Sequence, residues 1–144
     1  VIKRIVALLT AGVLLASCGT QSPATAMKKW LTQSSFIANA KALVSDATNA
    51  DRTLRASTST AAQLRTVCGV LLYETQGVNA SLPSPDAQLS TLAATAFNTL
   101  GDGANECYKA GTSAALRSHA LRYLHTGVAD LYEAALRAHV VAGN

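Results

Sequence analysis

Apolar residues recur along this chain at alternating spacings of three and four, the period of a helix with one buried face. The first such stripe is Phe36, Ala40, Leu43, Ala47, Ala50 and Leu54. Asp46, Thr48, Asn49 and Asp51 are mediocre helix formers, so a break near Asn49 is conceivable, but the unbroken stripe predicts one helix, led by Trp30 and reaching about Ala56. Ser57, Thr58 or Ser59 then offers an N-cap, and Ala61, Leu64, Cys68, Leu71 and Thr75 form a second stripe. Leu89, Ala93, Ala96, Leu100, Gly103, Cys107 and Ala110 make a third, and Leu121, Leu124, Val128, Leu131, Ala135 and Ala138 a fourth. Opposite this last arc lie His119, Arg122, Asp130, Glu133 and Arg137, and the four-residue step from Glu133 to Arg137 predicts an ion pair along the helix. No alternating strand pattern competes anywhere. The expected fold is all-α, a four-helix up-down bundle.

Punctuation supports these limits. Gly77 to Pro85 is the clearest loop, because Pro83 and Pro85 force the residues before them into extended conformations. Ser84-Pro85-Asp86 predicts a helix start with Ser84 as cap, Gly111 a helix end, and Thr112 or Ser113 the next start. Asn79-Ala80-Ser81 fits the glycosylation pattern but carries no weight beside the bacterial N-terminal signal considered next.

Ahead of the stripes the pattern changes. Lys3 and Arg4 precede a run from Ile5 to Ala16 broken only by Thr10 and Gly12. The run falls short of the ~20 apolar residues of a membrane-spanning helix and has the shape of a secretion signal. It ends in Leu15-Ala16-Ser17-Cys18, which resembles the lipobox of bacterial lipoproteins at all four positions. That resemblance implies a diacylglyceryl group on the sulfur of Cys18 and cleavage just before it. The domain organisation then reads as a signal peptide over 1–17, a lipidated flexible tether over 18–26 and one helical domain over 27–144. The tether, Gly19 to Ala26, has no apolar period and contains Pro23; extended, it reaches ~28 Å. Two or more acyl chains hold a protein at a membrane far better than one.

Charge changes the picture little. The sequence has 12 Lys plus Arg against 8 Asp plus Glu, net +4, and losing Lys3 and Arg4 leaves +2. No basic cluster follows Lys28-Lys29, so nucleic acid is excluded as a partner. Lys28-Lys29-Trp30 can be read as an anchor at lipid headgroup level, but a Trp at the buried side of a helix start is the simpler reading.

With Cys18 lipidated, Cys68 and Cys107 remain, both on predicted buried faces of consecutive helices and in an oxidising compartment. A disulfide between them is expected, since the extended segment over 78–85 can climb the ~20 Å difference in their heights. Chemistry is sparse. His119, His125 and His139 lack the three- or four-residue spacing of metal pairs and read as solvated surface groups. Tyr73, Tyr108, Tyr123 and Tyr132 read as core-edge residues with bonded hydroxyls. Gly101-Asp102-Gly103 reads as a helix irregularity. There is no nucleophile elbow or phosphate loop, so no catalytic residue, metal or cofactor is expected.

Taken together, Cys18, Trp30, Cys68, the segment Leu82 to Asp86 and Cys107 resemble the layout of small actinobacterial envelope lipoproteins. The resemblance covers most of the chain after the signal and implies fold and location without an activity. The expected role is a non-enzymatic binding module on the outer face of the cell membrane, with a protein or cell-wall component as partner. Two alternatives are a phage or prophage lipoprotein that excludes a second phage, and a carrier of an apolar small molecule.

Overall fold

A computed structural model describes residues 21–144. The lipobox residues Leu15, Ala16, Ser17 and Cys18, and the signal over 1–17, lie outside the described residues. The described chain is all-helical, with α1 over Pro23–Ser34, α2 over Phe36–Arg55, α3 over Ala61–Asn79, α4 over Ala87–Ala110 and α5 over Ala114–Ala142. The expected count of four is therefore corrected to five.

The extra helix arises at Ser35, which adopts a left-handed conformation (φ 52°, ψ 27°) and separates α1 from α2. Serine hydroxyls compete with helical backbone bonding, and here the Ser34 hydroxyl does so on both sides of the turn. Ser34 Oγ donates to Trp30 O at 2.8 Å and accepts from Phe36 N at 3.3 Å, while Asn39 Nδ2 donates to Ser34 O at 3.2 Å. The chain thus turns just before the stripe that opens at Phe36. It does not break at Asn49: α2 continues to Arg55, with the Thr48 and Thr53 hydroxyls returned to the carbonyls four residues back. The helical region also begins earlier than expected. Ser22 caps α1 by accepting from Thr25 N at 3.2 Å, so residues 23–26 of the expected tether are helical.

Two other starts are displaced for the same local reasons. Thr60, one residue beyond the expected caps, forms a reciprocal capping box with Gln63. Asp86 rather than Ser84 caps α4, its Oδ1 accepting from Leu89 N at 2.7 Å, while Ser84 Oγ accepts from Asp86 N. Ser113 caps α5 as expected, and Gly111 and Gly143 hold the positive φ values that end α4 and α5.

Helices α2 to α5 pack as a closed ring, each against its sequence neighbours and α5 back against α2. Neighbours run antiparallel. Asp51 meets His125 while Leu54, further along α2, meets Arg117, earlier in α5. The stripes of α2 and α4 are buried at every expected position, and that of α3 at every one but Ala61, which is half-buried. Cys68 and Cys107 form the expected disulfide, with Cα atoms 5.8 Å apart, inside the core.

On α5 the buried line is Ala120, Leu124, Gly127, Leu131, Ala134, Ala138 and Ala142, with Leu121, Val128 and Ala135 half-buried. The arc is rotated from expectation because α4 and α5 approach too closely for large side chains. A Cβ on Gly127 would stand 2.7 Å from Leu100 Cγ and 2.9 Å from Leu100 N. One on Gly103 would stand 3.0 Å from Tyr123 Cβ. The small residues win the interior here, and the larger ones flank it.

α1 crosses the end of the ring where α2 begins and α3 and α5 end. It packs mainly on α5, and only Met27 is fully buried. Trp30 is half-buried, its ring 5.3 Å from that of Phe36 and its Nε1 donating to Ser81 O at 3.3 Å. Trp30 thus has the packing role, while Lys28 and Lys29 remain exposed.

Candidate functional site

The α1–α2 turn and the end of α3 enclose a groove of about 700 Å³. Trp30, Ser34 and Asn39 come from one side, Tyr73, Glu74 and Val78 from the other, with Leu43 at its base. Tyr73 is 78% exposed. This corrects the reading of the tyrosines as core-edge residues: all four are exposed, and among the described residues none of their hydroxyls bonds to protein. At the groove's edge, Glu74 on α3 meets Asp46 on α2. The neighbouring Asp46 carboxyl, by hydrogen bonding and charge, and partial burial together push Glu74 up from 4.5 to about 7. Two carboxyls so close share a proton more easily than they both ionise. Glu74 Oε2 is buried, and among the described residues no N–H or hydroxyl donates to it.

The groove was not legible as a site in the sequence. Asp46 and Glu74 are 28 positions apart on different helices, and Trp30 joins them only because Ser35 turns the chain. The one available signal was an acid, Glu74, placed directly beside the buried position Thr75.

A second constellation joins α2 and α5. His125 Nε2 lies 2.8 Å from Asp51 Oδ1 and 3.2 Å from Arg55 Nη2, and Arg55 Nε donates to Asp51 Oδ2 at 2.8 Å. The Arg55 hydrogen bond, reinforced by His125, holds the Asp51 carboxyl below its ordinary range against partial burial. Helical spacing within α5 could not reveal this cross-helix partner. His119 and His139 are exposed, as expected. The cluster does not assemble a nucleophile with a base: Thr48, the hydroxyl lining the recess beside His125, donates to Val44 O in its own helix. Among the described residues no group of three or more His, Cys, Asp or Glu is placed to hold a metal.

No protein-family model, curated protein or solved structure matches this chain. The remaining polar features are structural. Arg137 pairs with Asp86, Nη2 to Oδ2 at 2.7 Å and Nε to Oδ1 at 3.0 Å, in place of the expected partner Glu133. That pair ties α5 to the start of α4 and, with the Leu89 amide, holds Asp86 below its ordinary range despite partial burial. Arg117 donates to four carbonyls, those of Gly111, Leu54, Ala56 and Ser59, at 2.9–3.1 Å. It closes the ends of α2 and α4 where helix dipoles present negative charge. An apolar groove between α2 and α5 measures about 230 Å³, below the ~300 Å³ at which small-molecule pockets begin. No described helix is long and apolar enough to cross a membrane.

Proposed function

We propose that this chain is a lipid-anchored envelope protein that acts by binding, receiving a partner in the groove between α1, α2 and α3. The anchor rests on the complete Leu15-Ala16-Ser17-Cys18 motif, which stands only five residues before the start of α1. The binding role rests on one observation: the groove combines an aromatic rim, Trp30 and Tyr73, with the Glu74 carboxyl, one oxygen of which is buried and takes no bond from an N–H or hydroxyl among the described residues. Such a lining suits a positive group flanked by apolar surface, such as a basic side chain of an envelope protein or an ammonium of a wall component. A cation can stack on the aromatic faces and supply the missing donors to Glu74. Its arrival favours the ionised form of Glu74, so binding strengthens as pH rises through about 7.

The test begins with the protein purified from membranes. Intact mass reports removal of residues 1–17 and acyl chains on Cys18. Crosslinking in the membrane fraction is then compared between this protein and a variant carrying Tyr73→Ala and Glu74→Gln. The proposal requires a defined adduct that the variant loses while its melting temperature is maintained. An adduct unaffected by the variant, or none at all, rejects the groove as the contact site. A Cys18 without acyl chains rejects the anchor.

A further inference from the structure

The outer side of α5 carries an apolar line the bundle does not use. Tyr132, Leu136 and Val140 follow one another at single-turn intervals and are 62%, 66% and 61% exposed. Tyr132 lines the groove between α2 and α5, where Ile37 and Val44 meet Leu131 and Ala135 beside Lys41 and His139; Leu136 and Val140 continue its line along α5. An amphipathic face of this kind normally finds a cover.

The position of the face says what that cover is. Because α2 and α5 run antiparallel, residues 132–140 lie beside residues 37–44, at the end of the bundle that α1 crosses. α1 packs on α5, and its first residue, Pro23, is five residues from Cys18. Five residues span at most ~17 Å, and α1 itself is ~18 Å long. The end of α5 is therefore held close to whatever surface holds Cys18. Lys28 and Lys29 on α1 and Lys41 on α2 are exposed at the same end, and α1 has no acidic residue. Glu133 is the acid beside the line on α5, and Arg137 is already paired with Asp86. Tyr, Leu and Val on one helix face, beside Lys41 and at the end of the bundle that carries Lys28 and Lys29, fit a helix lying at a lipid interface.

We infer that the Tyr132–Leu136–Val140 face of α5, with the adjoining part of α2, rests on the bilayer surface. The inference relies on the lipid anchor proposed above and fixes an orientation: this face turns inward to lipid.

Hydroxyl-radical footprinting tests it on the acylated, otherwise unaltered protein in vesicles of phosphatidylcholine and phosphatidylglycerol, with the Cys18→Ser protein in solution as reference. Oxidation of Tyr132 and Leu136 is expected to fall at least five-fold in vesicles, while Tyr73 and Tyr108 change less than two-fold. Equal oxidation of Tyr132 in both states overturns the proposal. So does protection that disappears on dilution to one chain per vesicle, which assigns the face to a second copy. Protection that appears only after an envelope extract is added assigns it to a protein and likewise overturns it. Intact mass keeps the two readings apart: an unacylated Cys18 removes the anchor and this inference together, whereas an acylated chain with an unprotected Tyr132 removes the inference alone.

Discussion

Gly127 against Leu100, the tightest setting of any described glycine, yields the sharpest test of how the bundle is packed. Gly127→Ala places a Cβ 2.7 Å from Leu100 Cγ and 2.9 Å from Leu100 N. A rotamer change can move the first contact but not the second, since the amide belongs to the α4 backbone. The helices must separate by roughly half an ångström, loosening a seam buried along its length, and overpacking of this kind costs about 1–3 kcal/mol. Against that stands the gain of about 1 kcal/mol when Gly becomes Ala inside a helix. The net expectation is a loss of up to about 2 kcal/mol, or up to roughly 10 °C in Tm. Gly77→Ala supplies the opposite sign, because it lies in α3 with no atom within 4 Å of its new Cβ. It gains helix propensity without a clash, up to about 1 kcal/mol. Both are measured by urea and thermal unfolding followed by circular dichroism at constant pH with the disulfide intact. A Gly127→Ala protein as stable as the Gly77→Ala protein would refute the close-packed seam.

Other features make separate predictions. Arg117→Lys keeps the charge but cannot reach four carbonyls, and is expected to cost about 2–4 kcal/mol in urea unfolding; a loss under 0.5 kcal/mol would show those bonds to be replaceable by water. Replacing Cys68 and Cys107 together by Ala opens a loop with a sequence separation of 39 and is expected to cost about 4 kcal/mol, to be checked as a fall in the urea midpoint; an unchanged midpoint contradicts the bridge. Glu74 binds its proton more tightly when folded than at its ordinary 4.5, so its stabilising contribution is complete below that pH and is lost as pH rises through about 7. Glu74→Gln is accordingly expected to flatten the decline of stability between pH 5 and 8, and an unaltered pH profile would count against the Asp46 pairing.

The stripes of α2, α3 and α4 were readable because burial there follows ordinary apolar residues at the helical period. The arc of α5 was misplaced by part of a turn because Gly127, Ala120 and Ala134 carry little hydrophobic signal; what selects them is the distance to α4, which no local pattern encodes. The break at Ser35 was missed for a related reason. Two adjacent serines are a weak signal until Trp30 O and Asn39 supply the partners of Ser34. The groove depends on that break and on two acids from separate helices, so it became visible only with the helices in place. Arg117 and Arg137 likewise draw their partners from positions at least 51 residues away, apart from the Gly111 carbonyl.

The way α1 meets the body has a mechanical consequence. A pull applied ahead of Pro23 loads a twelve-residue helix fastened chiefly by Met27 and the Trp30 bond to Ser81. Those fastenings are expected to yield before the ring of α2 to α5, in which a disulfide joins α3 to α4. Peeling α1 would release slack and carry Trp30 away from one wall of the groove at the same moment, so tension on the N-terminal side and the integrity of that wall are opposed by construction.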